Sequence, residues 1–311
     1  MRLFLALVII LLTSQPVFSA ITFTDGVWES TFDCTEQSQG SFSCDGLGNG
    51  IYYSCDDGVE EKWDQITSDA NYTSGDGGRG FRHWVDDGTD NDHGGGIGML
   101  FPSAQQEFWF RFYARYEAGF QWVSITYDKV VYVWTEKGSN EVPYAVFGFG
   151  YNDSMIAKDG LDPFGSPEPP AQNPITWNDI MGGSTSDGEW HAYEFHLKMD
   201  TLTGGVSNED GEVHTWVDGV PIASKTDWIW SDEDATAAEG FRHFLIGSNQ
   251  KEANNGGCTP MDYDDIVVYT TTPPNTDSNG HPYIGLLGAG SLGTSMRSGS
   301  TTITSGSTTL K

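Results

Sequence analysis

No stretch of this chain repeats its apolar residues at helical spacing for more than two turns, and that limits the fold more than any single motif does. Alternation with a period of two recurs instead, the mark of strands with one buried face and one different face. Phe108-Trp109-Phe110-Arg111-Phe112-Tyr113-Ala114-Arg115-Tyr116 is the clearest case. Phe108, Phe110, Phe112, Ala114 and Tyr116 make an apolar face fit for a core; Trp109, Arg111, Tyr113 and Arg115 make the other. Phe81-Arg82-His83-Trp84-Val85, Lys129 to Thr135, Pro143 to Tyr151, His191 to Met199, Glu212 to Val217, Phe241 to Gly247 and Asp262 to Tyr269 read as further strands. Asp218-Gly219 is a hairpin turn into Val220 to Ser224. About a dozen short strands separated by turn signals predict an all-β, two-sheet antiparallel sandwich.

The chain ends bound this domain. Met1-Arg2, the apolar run Leu3 to Leu12 and Val17-Phe18-Ser19 before Ala20 have the layout of a secretory signal, residues 1–19. The apolar run is short for a membrane span, and no later segment supplies one. An exported protein, extracellular or periplasmic, is the expectation. Residues 20–271 are long enough for one large two-sheet core. From Thr272 to Lys311 Pro, Gly, Ser and Thr dominate, and residues 272–311 are expected to be a disordered linker or tail.

Charge narrows the partners. Lys and Arg number 15 against 44 Asp and Glu, a formal net charge of −29. Such a field repels nucleic acid and anionic membranes. It also disfavours an anionic substrate unless arginines are concentrated locally, as Arg111 and Arg115 are. Rings stack on sugar faces and an Arg fork grips a carboxylate, so the Trp109–Arg115 side fits a groove for an acidic polysaccharide. The competing fate is that Trp109 and Tyr113 pack under a loop while the arginines pair with carboxylates. Nothing in the sequence indicates an oligomeric state. Four cysteines in an exported chain suggest two disulfides: a local N-terminal loop among Cys34, Cys44 and Cys55, and a long staple to Cys258. The lack of a C-x-x-C pair or an H-x-x-x-H site speaks against zinc.

Several pieces, in order, resemble the concanavalin A-like lectin and glucanase superfamily, a jelly roll of two curved antiparallel sheets. They are Trp28-Glu29-Ser30, Gly188-Glu189-Trp190-His191-Ala192-Tyr193-Glu194-Phe195, Val213-His214-Thr215-Trp216-Val217-Asp218-Gly219 and Asp264-Asp265-Ile266-Val267-Val268. Within it, the strand Arg79–Val85 and the comb of 108–116 resemble the jelly-roll polysaccharide lyases. That resemblance implies β-elimination on a uronic-acid polymer, with Arg111 or Arg115 neutralising the carboxylate and Tyr113 as acid or base. His83, His196 and His214 are the alternative bases, and Trp109, Tyr132, Trp134 and Arg82 would bind substrate. His83 shares its face with Phe81 and Val85, so a core position is equally open to it. The superfamily's hydrolases place E-x-D-x-E or E-x-D-x-x-E on one strand; no strand here has it. The resemblance also implies a structural Ca2+ where the first strand meets the last, at Glu29, Asp264 and Asp265, whose hard oxygens suit that ion. A non-catalytic lectin-like module and a surface or adhesion protein are the alternatives to a lyase.

Overall fold

The computed structural model describes residues 21–35, 43–45, 47–48, 53–56, 61–85, 97–120, 128–137, 140–150, 154–157, 185–228, 238–248 and 258–287. The signal-like segment, the acidic loop at 86–92 and the proline-rich stretch at 161–183 lie outside them. Among the described residues there is no α-helix, and Ser68–Ala70 forms one 3-10 turn. Two antiparallel sheets account for the fold, as the alternation predicts.

The larger sheet runs Val220–Trp228, Gly211–Val217, Trp190–Lys198, Glu107–Tyr116, Thr259–Tyr269, Gly80–Val85, Gln65–Thr67, with Val27–Ser30 also paired to the Thr259–Tyr269 strand. The smaller runs Ser154–Ala157, Asn140–Gly150, Asp128–Lys137, Ala238–Ser248, Ile97–Gln105, Leu47–Gly48, Ser43–Cys44. Order within each sheet departs from order in the chain, so most neighbours are long-range partners.

Apolar alternation builds the core between the sheets. Phe108, Phe110 and Phe112 are fully buried with Phe195, Phe241, Phe244 and Tyr263. Phe110 meets Phe195 at 4.9 Å and Phe244 edge-on at 4.5 Å, the offset and T-shaped contacts aromatic quadrupoles favour. Asp218 (φ +50°) and Gly219 (φ +75°) take the left-handed pair that a two-residue hairpin needs. Cys34 and Cys44 are disulfide-bonded and Cys258 is bridged too, in keeping with a local loop and a distant staple.

Two features depart from strict alternation. The 259–269 strand carries a bulge against the 107–116 strand between Asp264 and Val267. Asp265, at φ +45°, absorbs it, so Met261 and Tyr263 before it and Ile266 and Val268 after it all reach the core. Asp264 and Asp265 therefore both turn from the core, although they are neighbours in sequence. The second departure concerns the expected tail. Residues 272–287 cross the outer face of the larger sheet as a strap, with Asn275–Thr276 and Pro282–Tyr283 paired as a small hairpin. The composition of 272–311 hid an apolar run, Tyr283-Ile284-Gly285-Leu286-Leu287, that packs; residues 288–311 lie outside the described part.

Candidate functional site: the outer face of the larger sheet

The side of the larger sheet that faces away from the core holds most of the candidate site residues, in rungs set by strand register. Trp109 lies opposite His196, and His196 opposite His214. Arg111 lies opposite Glu194, and Glu194 opposite Trp216. Arg115 lies opposite Trp190 on one side and Asp262 on the other. Directly opposed side chains on one sheet face are close enough to interact, and here they do. Trp109 and His196 stack at 4.2 Å with planes 1° apart, and His196 stacks on His214 at 5.2 Å.

The strap seals the Trp109–Tyr113 end of this face. Trp109, Arg111 and Tyr113 are 3%, 5% and 3% exposed. The Trp109 indole donates to the Pro282 carbonyl at 3.0 Å, and Arg111 donates to the Gly285 carbonyl. The Leu287 amide donates to the Tyr113 hydroxyl at 3.1 Å. Glu194 accepts from the Ile284 amide and, at 3.0 Å, from the Gly285 amide. Trp216 donates to Asp277 at 2.9 Å. Ile284 completes a small apolar cluster with Trp109 and Val267. The open trough expected along Trp109–Arg115 is thus filled by the chain itself at the Trp109–Tyr113 end; an acidic, hydrogen-bond-rich sheet face needs polar backbone to cover it, and the strap supplies that.

Burial shapes the acid–base properties. Desolvation pushes the Glu194 carboxyl up to about 7, with the two strap amides and Arg111 pulling the other way. Burial raises the Tyr113 phenol above its ordinary value, opposed by the Leu287 amide and Arg111, whose guanidinium lies 5.4 Å from the ring.

The other end is open. Arg115 and Arg82 both bind Asp262, at 2.6 Å each. Arg115 lies over Trp190 at 5.0 Å and Arg82 over Trp84 at 5.6 Å. Tyr72 stacks on Tyr113 at 4.1 Å and meets Trp190 at 5.6 Å. Trp190 and Glu194 lie in the Gly188–Phe195 stretch that carries the family resemblance, but it gave them no site role; their place here, like that of Asp262, follows from the cross-strand pairing, and that of Tyr72 from its stacking on Tyr113.

Some expected site residues lie elsewhere. His83 faces the core side with Phe81 and bonds Asp64 at 2.8 Å, both side chains 1% exposed. It is a satisfied core histidine and does not reach the outer face. Tyr132 and Trp134 are on the Asp128–Lys137 strand of the smaller sheet, so they do not share a sheet with the Trp109 comb; their side chains are outside the described part. His196 and His214 sit on the Trp109 rung, four residues from Tyr113, roughly 13 Å along a strand.

The calcium expectation fits at one residue of three. Asp265 is buried, its Oδ2 has no partner, and burial, with Asp76 and Glu29 nearby, pushes it up to about 7. A hard divalent cation suits that oxygen. Asp264 instead accepts from the Tyr72 amide at 2.7 Å and the Asp265 amide at 2.8 Å. Among the described residues, Glu29, Asp264 and Asp265 do not gather within 4.8 Å of one another.

No protein-family model matches the chain, and no curated protein matches it in sequence. Solved structures similar to it include the endo-beta-1,4-glucuronan lyase from the fungus Trichoderma reesei (12% identity, 72% of this chain and 96% of that one, TM-score 0.46). The alginate lyase vAL-1 from Chlorella virus follows at 14% identity, 75% and 93% coverage and TM-score 0.43. The cellulose-induced protein Cip1 has 14% identity, 79% and 92% coverage and TM-score 0.40. The resemblance of the sequence to polysaccharide lyases is met by a structural one, at a level that carries no argument about chemistry. That argument rests on the side chains.

Proposed function

We propose that this is a secreted carbohydrate-active jelly roll that cleaves a uronic-acid polysaccharide by β-elimination on the outer face of its larger sheet. The strap has to lift before polymer can enter. The observation that carries the reading is the pairing of Arg111 and Tyr113 at successive outward positions of one strand, in an otherwise acidic protein.

In the elimination, a phenolate at Tyr113 takes the C5 proton, and the C–H electron pair forms the C4=C5 double bond. The C4–O bond breaks, and Tyr113 returns the proton to the leaving oxygen. Arg111 neutralises the uronate carboxylate, whose acidity at C5 the reaction needs. With the strap in place burial raises the Tyr113 phenol above its ordinary value; lifting the strap removes that influence and leaves Arg111 to lower it. Arg115 and Trp190 would bind the polymer beyond the reacting sugar. A Ca2+ ion at Asp265, beside Glu29, belongs to this reading as a structural ion that relieves the buried charge.

The test uses Ile284→Asp, which sets a carboxylate in the apolar cluster with Trp109 and Val267 and weakens the strap. Ultraviolet absorbance of unsaturated uronate is followed with glucuronan, alginate or pectin. Ile284→Asp is expected to turn over faster than the unaltered chain, and adding Arg111→Ala or Tyr113→Phe should abolish turnover. An opened strap with no product from any of these polymers would sink the reaction. The half-buried Arg82, Arg115, Trp84 and Trp190 cluster favours a second reading, a glycan-binding module, which predicts binding to the same polymers without the absorbance.

A further inference from the structure

We infer that His196, His214 and Glu212 form a binding site for a first-row transition-metal ion of the zinc type, at the seam between the larger sheet and the strap. This goes beyond the proposed reaction and does not depend on it, because the site lies on the Trp109 rung and not beside Tyr113.

One nitrogen from each imidazole and one carboxylate oxygen of Glu212 lie within 4.8 Å of one another. Register explains the convergence. His196 and His214 are directly opposite on neighbouring strands, and Glu212 stands two residues before His214, hence on the same face. Zinc sites are often sought as short sequence repeats of Cys or His. A site assembled across two strands leaves no such repeat, and the Glu-x-His step is its sole linear trace.

The second observation is independent of that distance. His196 and His214 are 3% and 1% exposed, and the Nδ1 atom of each is buried without a hydrogen-bond partner. Their Nε2 atoms are held, His196 by Glu107 at 2.8 Å and His214 by Glu212 at 3.1 Å. Glu107 fixes the His196 ring through Nε2 and leaves its buried Nδ1 unpartnered, the arrangement that orients a histidine toward a metal, whereas Glu212 meets His214 on the Nε2 side, so a metal held by Glu212 and His214 would take the place of that hydrogen bond.

The groups around the pair are consistent with a divalent ion. Glu107, Glu212 and Asp277 bring negative charge, and Lys198, paired with Glu212, opposes it. Two imidazoles and a carboxylate suit Zn2+, Cu2+ or Ni2+ and not Ca2+ or Mg2+. On the strap, His281 lies 4.1 Å from His214, ring to ring. A metal here would join the strap to the sheet.

The full chain, stripped with a chelator and exchanged into metal-free buffer, is titrated with ZnCl2 and separately with CaCl2 by calorimetry. One Zn2+ per chain is expected, unaffected by excess Ca2+. His196→Gln and His214→Gln should each weaken it at least about tenfold, and His191→Gln, at a half-buried histidine paired with Asp187 and Asp218, should leave it unchanged. Circular dichroism confirms that each variant is folded. Should the variants unfold, the Co2+ complex of the unaltered chain decides, through the intense visible absorption of a four-coordinate site. No Zn2+ binding, binding unchanged in both folded variants, binding lost in His191→Gln, or a weak six-coordinate Co2+ spectrum would each overturn the site.

Discussion

The outward side of the 107–116 strand has two ends built from the same residue types, and they have opposite fates. At Trp109–Tyr113 every ring and guanidinium lies under the strap, with indole, guanidinium and hydroxyl matched to its backbone. At Arg115 the side chain keeps 32% of its exposure, and it shares the single carboxylate of Asp262 with Arg82. The difference comes from residues 272–287, more than 150 positions away in the sequence. Chemistry on a strand's face is therefore settled by what lies above it, not by the strand.

The largest expected effect tests that contrast directly. Arg111→Ala removes a buried cation and leaves the Gly285 carbonyl and Glu194 without it, so a loss on the order of 3 kcal/mol in urea unfolding is expected. Arg115→Ala acts on a half-open ion pair and should cost about 1 kcal/mol or less. Equal losses would mean that the strap does not seal one end more than the other.

These contrasts show what sequence could and could not reveal. The core face of 108–116 was legible because a period of two is a local property, and Phe108, Phe110 and Phe112 are buried as it requires. His83 was readable for the same reason: it shares a face with Phe81. The strap was not, because its Pro-, Ser- and Gly-rich composition matches a linker and its packing depends on acceptors and donors supplied by other strands. Glu194 and Asp262 were hidden because register between distant strands has no local signature. The bulge at Asp265 was also invisible, and it is what turns two adjacent aspartates from the core together.

A smaller effect follows from the acids that the sealed side buries. Burial pushes Asp264 up to about 8, and Glu194 and Asp265 to about 7. Each therefore holds its proton more tightly folded than unfolded. Their contribution to stability is complete below the ordinary carboxylate range and is lost as pH rises through these raised values. Urea midpoints should be lower at about pH 8 than at about pH 5. Asp265→Asn should flatten that slope, and Ca2+ should flatten it in the unaltered chain if the ion binds there. A slope that rises with pH would show that the strap and bulge leave these carboxylates hydrated.

The rim of the open end carries the opposite sign and the smallest effect. His191 follows Trp190 and lies between Asp218, at 2.7 Å, and Asp187, at 3.2 Å. The Asp218 bond, helped by Asp187, raises the imidazole from 6.5 to about 9 despite its partial burial. Its contribution is complete below pH 6.5 and is lost as pH rises through 9. Asp187 and Asp218 are held below their ordinary value, so they contribute above it and lose that as pH falls through their folded values. The triad thus stabilises most between the carboxylate and imidazole ranges. Because all three side chains reach solvent, His191→Gln should cost about 1 kcal/mol or less at neutral pH and be weaker still in high salt. The loss should vanish in alkaline solution, where the imidazole is already neutral. A penalty that persists there would make His191 a packing residue, and the two ends of the sheet would then differ in burial alone and not in how they respond to protons.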